Sequence, residues 1–571
     1  MSPTGGFADS GSSVSRVHRT RGDLGIPYLL ACTILAVFAF AFNWATGHRG
    51  VFLCDQSLVF DGGWRVLQGQ VPYKDFFFPW GPMVFFIQAL FFRIFGVYWS
   101  AMVLPACLFN SLATLSTIRV ARLLGGGSRL LALCAGLATA VCFQPPFGTL
   151  NFDQTALFFD FLAMQAAVES LRATGYRRGL WQLAAGVSVA LACLSKQNFG
   201  VLFVPVVVAI LVAGELPDLR RACRSVFFVG TGMAAILAIF LGWVWRFSDF
   251  SSFVQCGLAL AGEIGRSRVS WQMLAKALSF NLVPNVWQVD LIGFFSGGIA
   301  LCLAGFNFRR PLWRAMAPAC VVALLLPLFH SLIQGVTEQE FQNTFAFVGL
   351  AACLGASLLS RLAGYLPNAA AAGLDGGPRF PSARSLRICI FAVAGIWGAV
   401  VVAYEARSAW TRMVQEFTAR TLFRDPIHVR GLERVRWGEP HLIQEKLLRR
   451  VDFENLVSYL SAKRANFFVM GDSSILYGLL GVRPPQPMLY FLLGHSFLER
   501  QIPRLDPMIS ASLERNGIRL VVREKIMAEG IVSRDSYALF PRTWAWFTGN
   551  FDHTRDFGLF EIWEWRHDSP R

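Results

Sequence analysis

Apolar residues along this chain gather into long blocks separated by short polar stretches. The blocks fall at residues 24–44, 101–124, 130–143, 155–171, 180–194 and 199–213. They continue at 226–244, 291–306, 312–333, 345–359 and 388–403. A helix that crosses a bilayer needs about 20 such residues. The pattern therefore predicts an all-α polytopic membrane domain of about eleven spans, several of them short. A further apolar stretch, 83–95, is too brief to cross and carries Gln88 and Arg93, which suits an interfacial helix.

Basic residues supply the sidedness. With Arg16, Arg19 and Arg21 on the cytoplasmic side, Arg119, Arg122 and Arg129 fall inside as well. So do Arg172, Arg177 and Arg178; Arg220, Arg221 and Arg224; Arg309, Arg310 and Arg314; and Arg379, Arg384 and Arg387. If 83–95 crossed the membrane, the later clusters would all land outside. The expected outer segments are then a first loop at 46–100, the stretch 144–153, tight turns at 196–198 and 334–342, and a loop at 247–290. That last loop contains an amphipathic stretch at 271–282. Residues 1–23 are polar and rich in Gly and Ser, and are expected to be disordered. Residues 366–385 read as a cytoplasmic linker rich in Ala, Gly and Pro.

From residue 405 the pattern changes to dense charge and short apolar runs. A helix is predicted at 453–462 and strands at 466–470 and 518–522, with Gly471-Asp472-Ser473-Ser474 as a strand-to-helix turn. The expected organisation is thus a transmembrane domain over 24–404 and a small soluble α/β domain over 405–571 on the outer side. No GxGxxG or GxSxG appears in that turn, so it reads as structural.

Composition narrows the function classes. The chain has 571 residues, 54% hydrophobic and 15% charged, against about 25% charged in soluble domains. The net charge of +16 would suggest nucleic acid in a soluble protein. Here the basic residues sit at the ends of apolar blocks and set orientation, so no nucleic-acid partner is expected. None of the 12 cysteines forms a CxxC pair, which argues against a disulfide framework or zinc site. Cys54 and Cys256 fall on the outer side and could pair, though nothing in the pattern requires it.

The outer segments are unusually rich in groups that could do chemistry. The first loop carries Asp55-Gln56, Asp61 and Lys74-Asp75; later segments carry Asp153, Lys196-Gln197, His330 and Glu338. Carboxylates and cations at a membrane face suit transfer of a sugar from a lipid phosphate. The leaving phosphate needs a cation, and the acceptor hydroxyl needs a carboxylate base. Asp55 is the candidate base and Lys196 the candidate cation.

The first loop also holds a pattern: an acid just after the first span, then Gly69-Gln70-Val71-Pro72-Tyr73-Lys74-Asp75-Phe76, then Gly81-Pro82 before a short aromatic helix. With Asn151-Phe152-Asp153-Gln154, Leu194-Ser195-Lys196-Gln197 and the tail motif Gly471-Asp472-Ser473-Ser474, this resembles the bacterial GT-C superfamily of glycosyltransferases. Protein O-mannosyltransferases, the lipid A aminoarabinose transferase and lipopolysaccharide-core galacturonosyltransferases belong there. The resemblance implies a bacterial inner-membrane enzyme acting at the periplasmic face. Its donor would be a polyprenyl-phosphate sugar, and its acceptor an envelope glycan, a lipid or a protein. The family's early acidic pair is here Asp55-Gln56, which leaves a divalent metal open and Asp55 as the sole acid at that position.

Each candidate has a plainer role beside it. Asp61 suits structure or substrate orientation, and Lys74 and Asp75 could form a local ion pair. Asp153 could cap its helix, and Lys196 could snorkel from a helix end. His330 could be a satisfied bundle histidine and Glu338 a solvated charge. A lipid-glycan transporter or a non-catalytic assembly component would share the spans, but no inverted repeat is apparent and the polar groups cluster at one face.

Overall fold

The computed structural model describes residues 25–268 and 423–566, apart from 52, 125–127, 145–147, 439–441, 444–445 and 528–530. The expected spans beyond 268, the amphipathic stretch 271–282, the linker 366–385, His330 and Glu338 lie outside the described residues.

Within them, every predicted apolar block is a helix. These are α1 (Ile26–Gly47), α4 (Trp99–Leu124), α5 (Arg129–Cys142), α6 (Phe152–Ser170), α7 (Tyr176–Ser195), α8 (Gln197–Glu215) and α9 (Leu219–Phe247). Of the described helices, α1, α4, α7, α8 and α9 are long and apolar enough to cross a membrane. The protein is a multi-pass membrane protein. Helix α6 is less apolar because it is central: nearly all of its side chains are buried against α4, α7 and α8. Asp160, midway along it, is fully buried, and neither carboxylate oxygen has a hydrogen-bond partner among the described residues.

Among the described residues, basic groups collect at one end of this bundle, as the alternation predicts. Arg119 pairs with Glu169 and Arg178 with Glu215. Arg122 and Arg129 lie over the Tyr28 ring at 5.0 and 5.6 Å.

The opposite end is capped by structure that the sequence pattern shows only in part. The first outer loop contains α2 (Asp55–Leu67) as well as the short helix α3 (Met83–Phe95). Residues 55–67 were expected as loop, and two adjacent glycines, Gly62 and Gly63, are poor helix formers. Packing explains both. A Cβ on Gly62 would stand 2.3 Å from the Phe85 ring, and one on Gly63 would stand 2.5 Å from Gln88. The glycines let α2 lie flat on α3, and burial of α2 then offsets its weak propensity. Past α9, the described part of the expected 247–290 loop is helical, including a π-helical segment Phe253–Leu260. No disulfide joins Cys54 and Cys256.

The C-terminal domain is built on a four-stranded sheet. Its order is Phe467–Met470, Leu520–Glu524, Phe560–Trp565, Phe551–Phe557. The first pair is parallel and the others antiparallel. The helix Arg450–Lys463 precedes the first strand, close to the prediction for 453–462. The hairpin 551–565 adds two strands beyond those the pattern predicts.

This domain docks on the first loop through backbone carbonyls in Val482-Arg483-Pro484-Pro485-Gln486-Pro487. Trp64 Nε1 donates to Val482 O (2.9 Å), Arg65 Nη1 to Gln486 O (2.8 Å), Gln70 Nε2 to Pro484 O (3.3 Å) and Phe77 N to Pro487 O (2.7 Å). Three prolines lack N–H donors, which keeps this strip out of a sheet ladder and leaves its carbonyls for outside donors. One hydrophobic core runs across the contact, with Phe60, Trp64 and Phe85 in the same cluster as Ile475, Tyr477 and Leu489.

Arg65 anchors the contact. It pairs with Asp61 one helical turn earlier at 2.9 Å, and both side chains are wholly out of solvent. Its guanidinium also lies 5.4 Å from the Phe76 ring. Asp61 is therefore spent on structure. Removing one partner of a buried pair strands the other's charge, at about 3–5 kcal/mol, whereas replacing both by apolar groups costs far less. Arg65→Met should thus destabilise strongly, and Asp61→Leu in the same chain should recover much of the loss. A thermal-unfolding double-mutant cycle in detergent measures this; simple additivity would refute the coupling.

Candidate functional site

Asp55 is the first residue of α2. There the exposed N–H groups and the helix dipole favour a carboxylate, and the Cys54 thiol donates to its Oδ1 at 3.7 Å. Asp153 stands in the first turn of α6. Its carboxylate pairs with Lys196. Lys196 occupies the extended break between α7 and α8, at φ −149° and ψ 114°. That break turns its side chain off both helix axes, and its ammonium also lies over the Phe199 ring at 5.2 Å.

Three segments remote in sequence therefore meet in one electrostatic group. Burial pushes the Asp55 carboxyl up to about 6; Asp153 adds to the rise, Lys196 and the Cys54 thiol oppose it, and Asp472 adds again. The fourth member, Asp472, comes from the C-terminal domain and is almost fully buried. The turn holding it reads as structural in the sequence, because nothing in 471–474 itself says that the turn faces α2.

The surroundings fix this geometry. Gln56, the amide in place of a second acid, donates to Thr149 Oγ1 at 3.1 Å. Gln197 braces two segments, donating to Pro79 O (3.0 Å) and Gly257 O (2.8 Å). Gly81 touches the end of α7 so closely that a Cβ would stand 1.8 Å from Leu194 O. Trp80 lies between Phe152, at 4.8 Å, and Tyr490, at 5.8 Å. Tyr73, at φ 65°, donates to Trp80 O at 2.6 Å. The Trp80–Tyr490 contact is another feature that sequence order conceals.

The remaining expected site residues have other surroundings. Asp61 is paired with Arg65. Asp75 closes a turn, its Oδ2 accepting from Val71 N at 2.7 Å. Lys74 is exposed at the tip of that turn. No group of three His, Cys, Asp or Glu side chains among the described residues is arranged to hold a metal ion.

Chemically, the arrangement offers a carboxylate that is ionised at neutral pH yet binds a proton readily, beside an ammonium already committed to another carboxylate. Such a base can take a proton from a hydroxyl, and such a cation can exchange its carboxylate for a phosphate.

Two outcomes follow. Asp55 holds a proton more tightly in the folded chain than an ordinary carboxylate near 4 does. Its charge therefore costs the fold nothing at low pH, the cost develops as pH rises from about 4 to 6, and it is complete above that. Asp55→Asn should accordingly raise stability at pH 7, by about 1–2 kcal/mol given its partial exposure, and not at pH 4. Thermal unfolding at the two pH values checks this, and an equal effect at both would contradict it. Gly81→Ala must displace backbone at α7, so it should cost about 1–3 kcal/mol and disturb Lys196 beyond it; unchanged unfolding would refute this close fit.

Residues 79–245 match the family model described as dolichyl-phosphate-mannose-protein mannosyltransferase. No curated protein sequence matches the chain. Among solved structures, ArnT from Cupriavidus metallidurans bound to undecaprenyl phosphate aligns over 96% of this chain and 100% of its own. Its TM-score is 0.57, at 15% identity. AglB from Archaeoglobus fulgidus, in complex with an inhibitory peptide and a dolichol-phosphate, aligns over 95% of this chain and 75% of its own, with a TM-score of 0.45 at 12% identity. The fold assignment rests on the first of these. Residues 79–245 are thus similar to a mannosyltransferase family model, and across nearly its whole length the chain shares the fold of ArnT.

Proposed function

We propose that the protein transfers a sugar from a polyprenyl-phosphate donor to an envelope glycan, lipid or protein acceptor at the periplasmic face of a bacterial inner membrane. The observation that carries this reading is the meeting of Asp55, Asp153 and Lys196 at one end of the bundle, opposite the arginine clusters. If the arginine end is cytoplasmic, the site faces the periplasm. ArnT, which shares the fold, was solved with undecaprenyl phosphate, and that lipid phosphate is the chemistry this site is suited to release.

In the proposed reaction the acceptor oxygen attacks the anomeric carbon while the bond from that carbon to the donor phosphate breaks. The acceptor proton passes to Asp55, and the lipid phosphate leaves carrying the bond's electron pair. Direct displacement inverts the anomeric centre. Lys196 leaves Asp153 for the phosphate oxygens, and the exposed Lys74 supplies a second cation. His330 is proposed to contact substrate and Glu338 the acceptor.

General-base assistance contributes about 10²–10⁴-fold, so Asp55→Asn should lose activity on that scale while folding well. The test is an envelope glycan and lipid mass profile of a null strain, complemented with wild type or with Asp55→Asn at equal protein level. A sugar-sized mass lost in the null, restored by wild type and absent with Asp55→Asn supports the proposal. Full restoration by Asp55→Asn overturns the role of Asp55. Because the base must be unprotonated, the rate should also rise with pH through about 6 and level off above it; a rate flat across pH 5–7 would exclude Asp55 as the titrating base.

A further inference from the structure

Asp472 ties the C-terminal domain to the membrane site. It stands directly after the buried strand Phe467–Met470, in a turn whose shape is tightly held. A Cβ on Gly471 would stand 2.6 Å from the Glu524 side chain. Ser473 Oγ bonds Glu524 Oε1, and Leu476 N donates to Ser473 O at 3.1 Å. The turn is also fastened to α2. Ser474 Oγ donates to Ser57 O at 3.3 Å, two residues beyond Asp55. The following helix, Ile475–Leu480, lies so close to α2 that a Cβ on Gly478 would stand 2.6 Å from the Phe60 ring. A buried carboxylate thus arrives beside the first turn of α2 only when the C-terminal domain is seated.

We propose that Asp472 is a positioning carboxylate through which the seating of the C-terminal domain on α2 sets the charge surroundings of Asp55 in the transfer site. The inference rests on Asp55 being the base proposed above. The groups that face Asp55 are Cys54 on its own turn, Asp153 from α6, Lys196 from the α7–α8 break, and Asp472. Of these, only Asp472 belongs to the C-terminal domain. A like charge at short range favours the protonated form of its neighbour. Docking therefore tunes Asp55 toward a stronger base that can still ionise at neutral pH, and undocking leaves it a weaker one.

The test reads Asp55 directly and needs no substrate. A carbodiimide reacts with protonated carboxyl groups, so Asp55 labelling, followed by peptide mass spectrometry on the full chain in detergent, should fall across about pH 6 in the wild type. In Asp472→Asn the midpoint should move down, as loss of a nearby like charge requires. Asp472→Glu, which restores the charge, should return it toward the wild-type position. Ser474→Ala, which loosens the turn from Ser57, should give a smaller shift in the same direction. An unmoved midpoint in Asp472→Asn with wild-type thermal unfolding would overturn the proposal, as would an equal shift in Asp472→Asn and Asp472→Glu. If the midpoint moves but the wild type transfers no sugar, the coupling stands and the transferase mechanism falls. If transfer occurs, the acid limb of its pH profile should move with the labelling midpoint.

Discussion

A guanidinium taken wholly out of water must have its charge matched and its donors met, and Arg65 sets that condition for the outer half of this protein. Asp61 supplies the charge and the Gln486 carbonyl meets one donor. The first comes from the same helix, the second from a domain more than 400 residues further along the chain. Without that domain, Arg65 would lose a backbone acceptor in a place where water cannot easily substitute. Seating of the C-terminal domain and stability of α2 are therefore one problem. Because Asp55 opens α2, the same contact decides where the proposed base stands. The proline-rich strip suits this task, since a segment poor in N–H donors presents carbonyls and makes few competing bonds of its own.

The charge cluster is held in an arrangement the fold alone would not select. Three carboxylates and one ammonium share a small buried region, and the ammonium pairs with Asp153. An excess of negative charge is costly at rest, and this cost is what lets Asp55 take a proton near neutrality. The proposed donor brings more negative charge, which is adverse only if Lys196 is fixed. Its side chain leaves the bundle at a helix break, so it can turn from carboxylate to phosphate without moving α7 or α8. An incoming phosphate would then leave Asp153 without its cation, raising the proton affinity of the carboxylates just as an acceptor proton has to be received.

The bundle is legible in the sequence because each helix must present a lipid-compatible length, and each boundary falls at polar or charged residues. Predicted and observed limits differ by a few residues, with α4 found at Trp99–Leu124 against 101–124. The site is half legible for a related reason. Asp55, Asp153 and Lys196 each stand at a helix end on the same face, which alternation along the chain reveals. Helix α2 is not legible, because its glycines lower local propensity and only α3 makes them useful. Asp75 and Asp61 show the opposite limit. Each is an acid in the right loop, yet one closes a turn on Val71 and the other neutralises Arg65. Composition cannot separate a carboxylate spent on structure from one held for chemistry; the partner decides.

The reach of the family model bears on how the work is divided. It covers residues 79–245, and so includes Asp153, Lys196 and the helices that present them. Asp55 lies before that block and Asp472 well after it. On the mechanism proposed here, the block carries the cation that receives the lipid phosphate, a requirement common to any transferase with such a donor. The flanking segments carry the base that meets the acceptor and the carboxylate that tunes it, which must vary with the acceptor's own hydroxyl. By that argument, acceptor choice in this protein is to be sought where α2 meets the C-terminal domain, around the 471–474 turn, rather than within the membrane bundle.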